Sequence, residues 1–213
     1  MICMKSSRLN PRLFITAGLM AILALPGCQV EQILEPEPIG QVSKSIGFPV
    51  VNRNNQKYIL APQSSIYASD IFDTDGSSMV EISLTDNTVI TASYKSHFSL
   101  HSHVQHGNSF TTHLTLTRGS LKVATSQLGD LELKTPLAVA QLQGGEMFVS
   151  FKSNTLEIIL PEGGSVTVRN DHGDVSINSS RYGTTVIAGS APQNPYELPL
   201  SRIERAIDKM TIQ

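Results

Sequence analysis

The chain has 213 residues, with 16 Lys+Arg against 18 Asp+Glu, 15 Gly, 11 Pro, two Cys and no Trp. A net charge of −2 argues against a nucleic-acid binder, and two cysteines cannot build a disulfide-dense scaffold. Hydrophobic content of 40% against 16% charged residues excludes a disordered chain, and the length suits one domain with tails.

Lys5, Arg8 and Arg12 precede an apolar run, Leu13–Leu25, that is too short for the roughly 20 residues a membrane-spanning helix needs. A basic segment followed by a short apolar run has the layout of a secretory signal. Leu25-Pro26-Gly27-Cys28 then resembles a bacterial lipobox, with Pro26 departing from its usual third-from-last residue. The resemblance implies a signal peptide over 1–27, removed on export, and a Cys28 that becomes the lipid-bearing N-terminus. Cys3 would leave with the signal and Cys28 would be consumed by lipid, so no thiol would remain for redox or nucleophilic chemistry. The remaining chain would hold 13 Lys+Arg against 18 Asp+Glu, so acyl chains rather than charge would hold it at a membrane. Gln29 in place of Asp implies, again by resemblance, the outer membrane facing the periplasm.

Residues 28–41 carry three Glu and two Pro with no useful periodicity and read as a tether. From 42 to 191 apolar and polar residues alternate with period two, as in Val80/Ile82/Leu84, Leu114/Leu116, Leu131/Leu133, Leu156/Ile158/Leu160 and Val166/Val168. That is the pattern of half-buried strands. Leu84, Leu116, Leu133, Phe148, Ile158 and Val168 are expected in the core. Asp86-Asn87 suits a tight hairpin. Gly107, Gly119, Gly129, Gly163-Gly164, Gly173 and Gly183, several ten to twelve residues apart, are expected to close other turns. The fold class is therefore mainly β, with many short strands arranged as a sandwich, barrel or solenoid, which periodicity does not separate. Residues 192–213 open with Pro192, Pro195 and Pro199 as a linker and end in one short helix. Leu200, Ile203, Ala206, Ile207 and Met210 share a face of it, expected to pack on the body, and Ser201 has capping-box spacing to Glu204.

Several stretches of the β region succeed one another in an order similar to the FecR-type periplasmic domain. Asp70, Phe72 and Thr74 fit its entry strand, Leu84, Asp86 and Thr88 its first hairpin, and Arg118-Gly119 its RG turn. Thr135-Pro136 with Ala138, Gly144 with Phe148, and Glu162-Gly163 with Val166 and Val168 fit the later signposts. Ser69, Asn87 and Gly145 depart from the pattern, which has Gly, Gly and Thr there. The resemblance implies a docking or sensing domain without catalytic positions. Signal-transducing members place a cytoplasmic anti-sigma segment before a membrane helix, and an export signal in its place implies the sensing half alone.

No recognised nucleophile, phosphate-loop, zinc or cofactor motif occurs, and no cofactor is expected. One cluster stands out. Five of the six histidines, His97, His101, His103, His106 and His113, lie within 17 residues. Strict alternation puts His97, His101 and His103 on the solvent face of one strand, with His113 on the polar face of the next. Imidazoles so placed are candidate ligands for Zn, Cu or Ni.

The leading functional reading is a non-enzymatic, lipid-anchored envelope protein that binds a protein partner in signalling or envelope assembly. The alternative is metal binding or pH sensing through His97–His113, and a hydrolase is a distant third.

Overall fold

The computed structural model describes residues 36–212, the side chains of 126–128 excepted. The signal segment, Cys28, the first part of the tether and Gln213 lie outside the described residues.

Among the described residues fifteen strands form one continuous sheet. They are β1 (Gly40–Ile46), β2 (Val50–Arg53), β3 (Gln56–Ile59), β4 (Ser65–Ile66), β5 (Asp70–Asp73), β6 (Met79–Leu84), β7 (Val89–Ala92) and β8 (His97–His106). Next come β9 (Ser109–Lys134), β10 (Val139–Lys152), β11 (Thr155–Glu162), β12 (Ser165–Asn170), β13 (Gly173–Ile177), β14 (Tyr182–Ile187) and β15 (Tyr196–Glu197), followed by one helix, α1 (Leu200–Lys209). The main path runs β15-β14-β11-β10-β9-β7-β6-β1-β4. A branch of β2, β3, β5 and β8 joins the first part of β9, and β12-β13 joins the first part of β10. All the pairings are antiparallel.

The alternating residues pack inward as expected. Leu84, Leu116, Leu133, Ile158 and Val168 belong to one apolar core that draws side chains from the main path and both branches. Phe148 is also buried, but in a second cluster on the other side of the sheet, with Ile159, Leu198, Ile203 and Met210. There α1 covers β10 and β11. Its apolar face is only partly used: Ile203 and Met210 are buried, while Leu200 and Ile207 remain exposed.

Several local expectations are corrected. Gly119, Gly129 and Gly183 end no strand: β9 runs through the first two and β14 through the third. Strand β9 is 26 residues long because successive stretches of it pair with β8, with β7 and with β10, so neither Gly119 nor Gly129 ends it. Gly119 has φ +95°, and a Cβ there would lie 2.4 Å from Ser96 Cα. Helix α1 starts two residues earlier than the capping-box spacing predicts. Pro199 is its N-cap, with no side-chain cap, and the Pro199 carbonyl accepts from the Arg202 and Ile203 N–H groups. The proline-rich segment ahead of the helix contributes β15, which pairs with β14.

The Asp86-Asn87 hairpin forms as expected. Asn87 has φ +66°, and the Asp86 carboxylate accepts from the Thr88 N–H and hydroxyl. Ser69 and Asn87, which stand where the similar family has Gly, both have positive φ, the conformation for which glycine is the default.

Candidate functional site

Register builds an outer face on the branch of the sheet. In one row Ile59 stands opposite Val50, Val50 opposite Asp73, Asp73 opposite His97 and His97 opposite Arg118. In the next, Lys57 faces Asn52, Asn52 faces Ile71, Ile71 faces Ser99 and Ser99 faces Thr115. Side chains of directly opposed residues share a face, so these ten form one surface. The residues between them, Val51, Phe72, Phe98 and Leu116, point into the core. Phe72 and Phe98 stack there with ring centroids 4.6 Å apart.

The surface is mixed in character. Ile59 and Ile71 are exposed at 65% and 38%. Beside them the Asp73 carboxylate meets His97 Nδ1 at 2.9 Å and Arg118 at 3.6 Å. The face ends at β3, which among the described residues pairs with β2 alone and has all four residues exposed. Such an edge presents backbone donors and acceptors to a further strand. Phe48, 73% exposed, and Tyr58, 46% exposed, flank the same edge.

The histidines divide among different partners. His97 pairs with Asp73, and His101 Nε2 lies 2.8 Å from Thr115 Oγ1 and 3.1 Å from Ser99 Oγ. His113 Nδ1 lies 3.8 Å from Glu132. His103 is not on the solvent face, contrary to the alternation. Leu100 pairs with Leu114 and Ser102 with His113, so His101 is an extra residue in β8. That bulge reverses the in–out parity for the rest of the strand. His103 therefore turns inward, with its residue 8% exposed, while Val104 turns out.

In that interior position the His103 ring stacks on Phe110 at 4.9 Å. Its Nδ1 lies 2.9 Å from Thr112 Oγ1, its Nε2 3.1 Å from Thr85 Oγ1, and Asp86 stands 3.6 Å away. Burial lowers its pKa, and the Asp86 charge opposes that only in part. Among the described residues no group of three His, Cys, Asp or Glu is disposed to hold a metal ion. His97, His101, His103 and His113 are thus a set in sequence more than in space.

The sequence signposts of the domain prove architectural. Asp70 is fully buried and ion-paired to Arg53, and Thr74 Oγ1 donates to the Ser93 carbonyl and accepts from the Ser96 N–H. Thr135 Oγ1 donates to the Ala138 carbonyl across its turn. The exposed edge at β3 was not legible as a site, because Gln56–Ile59 carries no motif and its exposure depends on which strand is left without a neighbour.

Comparison with known proteins agrees with this architecture. The model of the family described as FecR protein matches residues 70–167. No curated protein matches the chain. Two crystal structures of a proposed anti-sigma factor from Parabacteroides distasonis ATCC 8503, at 1.65 and 2.50 Å, each align with a TM-score of 0.52. Their identities to this chain are 8% and 9%, over 64% of its length. The chain in turn spans 64% and 63% of theirs, just under two thirds. At such identity the likeness is one of fold. Among the described residues, no helix is long and apolar enough to cross a membrane.

Proposed function

We propose, from the FecR domain that the chain carries at residues 70–167, that this protein is a lipid-anchored docking module of the bacterial envelope with no chemistry of its own. It receives a protein partner on the β3 edge and the face beside it, in a signalling or envelope-assembly role. The observation that carries this reading is the edge strand itself. Four exposed residues, with a single paired neighbour among the described residues, border a surface on which Ile59 and Ile71 stand exposed among polar side chains. Strand addition at such an edge takes its affinity from backbone hydrogen bonds and its specificity from alternate side-chain pockets.

The anchor is Cys28, acylated after removal of residues 1–27. A tether of about a dozen residues reaches roughly 20 Å as a coil, enough to present the face to a membrane-embedded partner. Fractionation and intact-mass measurement of wild type and Cys28→Ser test the anchor. Wild type should fractionate with membranes and carry the mass of an acylated Cys28. A Cys28→Ser chain that remained membrane-bound with its signal removed would contradict it. Chemical crosslinking in intact cells should recover one predominant envelope protein, less of it with the unlipidated form. Turnover of an envelope substrate, lost on changing a single polar side chain, would replace docking by catalysis.

A further inference from the structure

Helix α1 sorts its charges. Arg202, Arg205 and Lys209, spaced i, i+3 and i+7, fall on one stripe of the helix. All three line a cavity of about 330 Å³ between α1 and the sheet, whereas Glu204 and Asp208 do not. Opposite the cations, strand register lays a row of hydroxyls. Ser120 faces Ser150 with their Oγ atoms 2.9 Å apart, and the Ser93 N–H donates to the Ser120 carbonyl. Phe148, Ile159 and Met210 supply an apolar wall.

Among the described residues Glu157 is the only carboxylate lining the cavity, and Arg202 pairs with it. Arg205 and Lys209 leave a formal excess of two positive charges. The Arg205 Nε–H donates to the Ser201 carbonyl, which occupies one of five guanidinium donors. Lys209 in the last turn offsets the negative end of the helix dipole, a duty that does not explain two arginines on the same stripe. The chain as a whole is acidic, so the cations are a local concentration.

We propose that this cavity binds a phosphate monoester. Such a group carries about −1.5 to −2 charge at neutral pH and three strong acceptor oxygens, which matches the uncompensated charge and the donors present. Arg and Lys both suit phosphate, Arg by its planar fork. The apolar wall accommodates the organic substituent. The volume lies at the small end of ligand pockets, so the ligand is a compact ester or a lipid headgroup. The site shares no residue with the docking face, and its test reads independently of that proposal.

Equilibrium dialysis of radiolabelled inorganic phosphate against the full chain at low ionic strength tests it. Saturable one-site binding is expected, weakened at least tenfold in Arg205→Gln/Lys209→Gln and unchanged in Glu204→Gln. All three of these side chains are exposed, and Ser150→Ala, which should weaken binding without touching the helix, guards against loss of α1 packing. Glycerol 3-phosphate and dihexanoyl phosphatidic acid as competitors identify the source. Displacement at lower concentration by the lipid assigns a headgroup, and by glycerol 3-phosphate a soluble ester. Absence of saturable binding, or equal binding by the Arg205/Lys209 double variant, overturns the proposal.

Discussion

Arg53 and Asp70 form a two-pronged ion pair, with Nε to Oδ1 and Nη2 to Oδ2 both at 2.7 Å. Asp70 is fully buried and also accepts from the Tyr67 N–H at 2.9 Å, while the guanidinium lies 4.2 Å from the centre of the Tyr67 ring. The pair ties the end of β2 to the start of β5 and holds the Arg53 pKa above its ordinary value, chiefly through the hydrogen bond to Asp70. Breaking one side leaves a charge stranded in or beside the core. Asp70→Asn should therefore destabilise the domain by about 3 kcal/mol, read as a lowered urea midpoint with unchanged slope.

Two glycine pairs cross at the bend of β10. A Cβ at Gly164 would lie 1.9 Å from the Gly144 carbonyl oxygen, and one at Gly145 would lie 2.5 Å from that of Gly163. All four have positive φ. Gly164→Ala must push two backbones apart, and we expect a loss of about 3 kcal/mol or more. Gly107, with φ +62° but open space around it, is the control. Its alanine variant should cost only the roughly 1–2 kcal/mol of the left-handed conformation. Thermal unfolding of the two variants checks the difference.

Much of this architecture was legible in the chain, and the misses share a cause. Period-two alternation placed Leu84, Leu116 and Val168 in the core because side-chain direction within a strand is fixed by the strand alone. Asp86-Asn87 read correctly because a tight turn is local chemistry. The bulge at His101 was not legible, since an extra residue is defined only against the partner strand, and with it went the inward turn of His103. Gly119 looked like a turn for the same reason. Its positive φ serves a close approach to Ser96, 23 residues earlier, and such contacts leave no mark in local pattern.

Thr91 offers a test in the opposite direction. It is buried, and among the described residues its hydroxyl has no hydrogen-bond partner. A buried polar group without a partner retains its desolvation cost. Thr91→Val keeps the shape and removes the group, so it should raise stability by about 1 kcal/mol, seen as a higher urea midpoint.

His103 makes stability depend on pH. Its folded pKa is lowered below 6.5 by burial, so the unfolded chain binds the proton more readily than the folded one. Stability from this residue is present above the unfolded pKa and is lost as pH falls from about 6.5 toward the folded pKa. Denaturation midpoints of wild type should drop between pH 7 and 5 more steeply than those of His103→Gln. Parallel slopes would remove His103 as the titrating group.

The central claim is that partners dock on the β3 edge and the face beside it. A photo-crosslinking amino acid placed at Ile59 or at Ile71 in the full-length chain, activated in living cells, addresses it most directly, with Leu200 on the exposed flank of α1 as the comparison position. The account predicts the same discrete adduct with an envelope protein from positions 59 and 71 and none from position 200. Adducts from position 200 alone, or none from 59 and 71 at normal abundance of the protein, would contradict it.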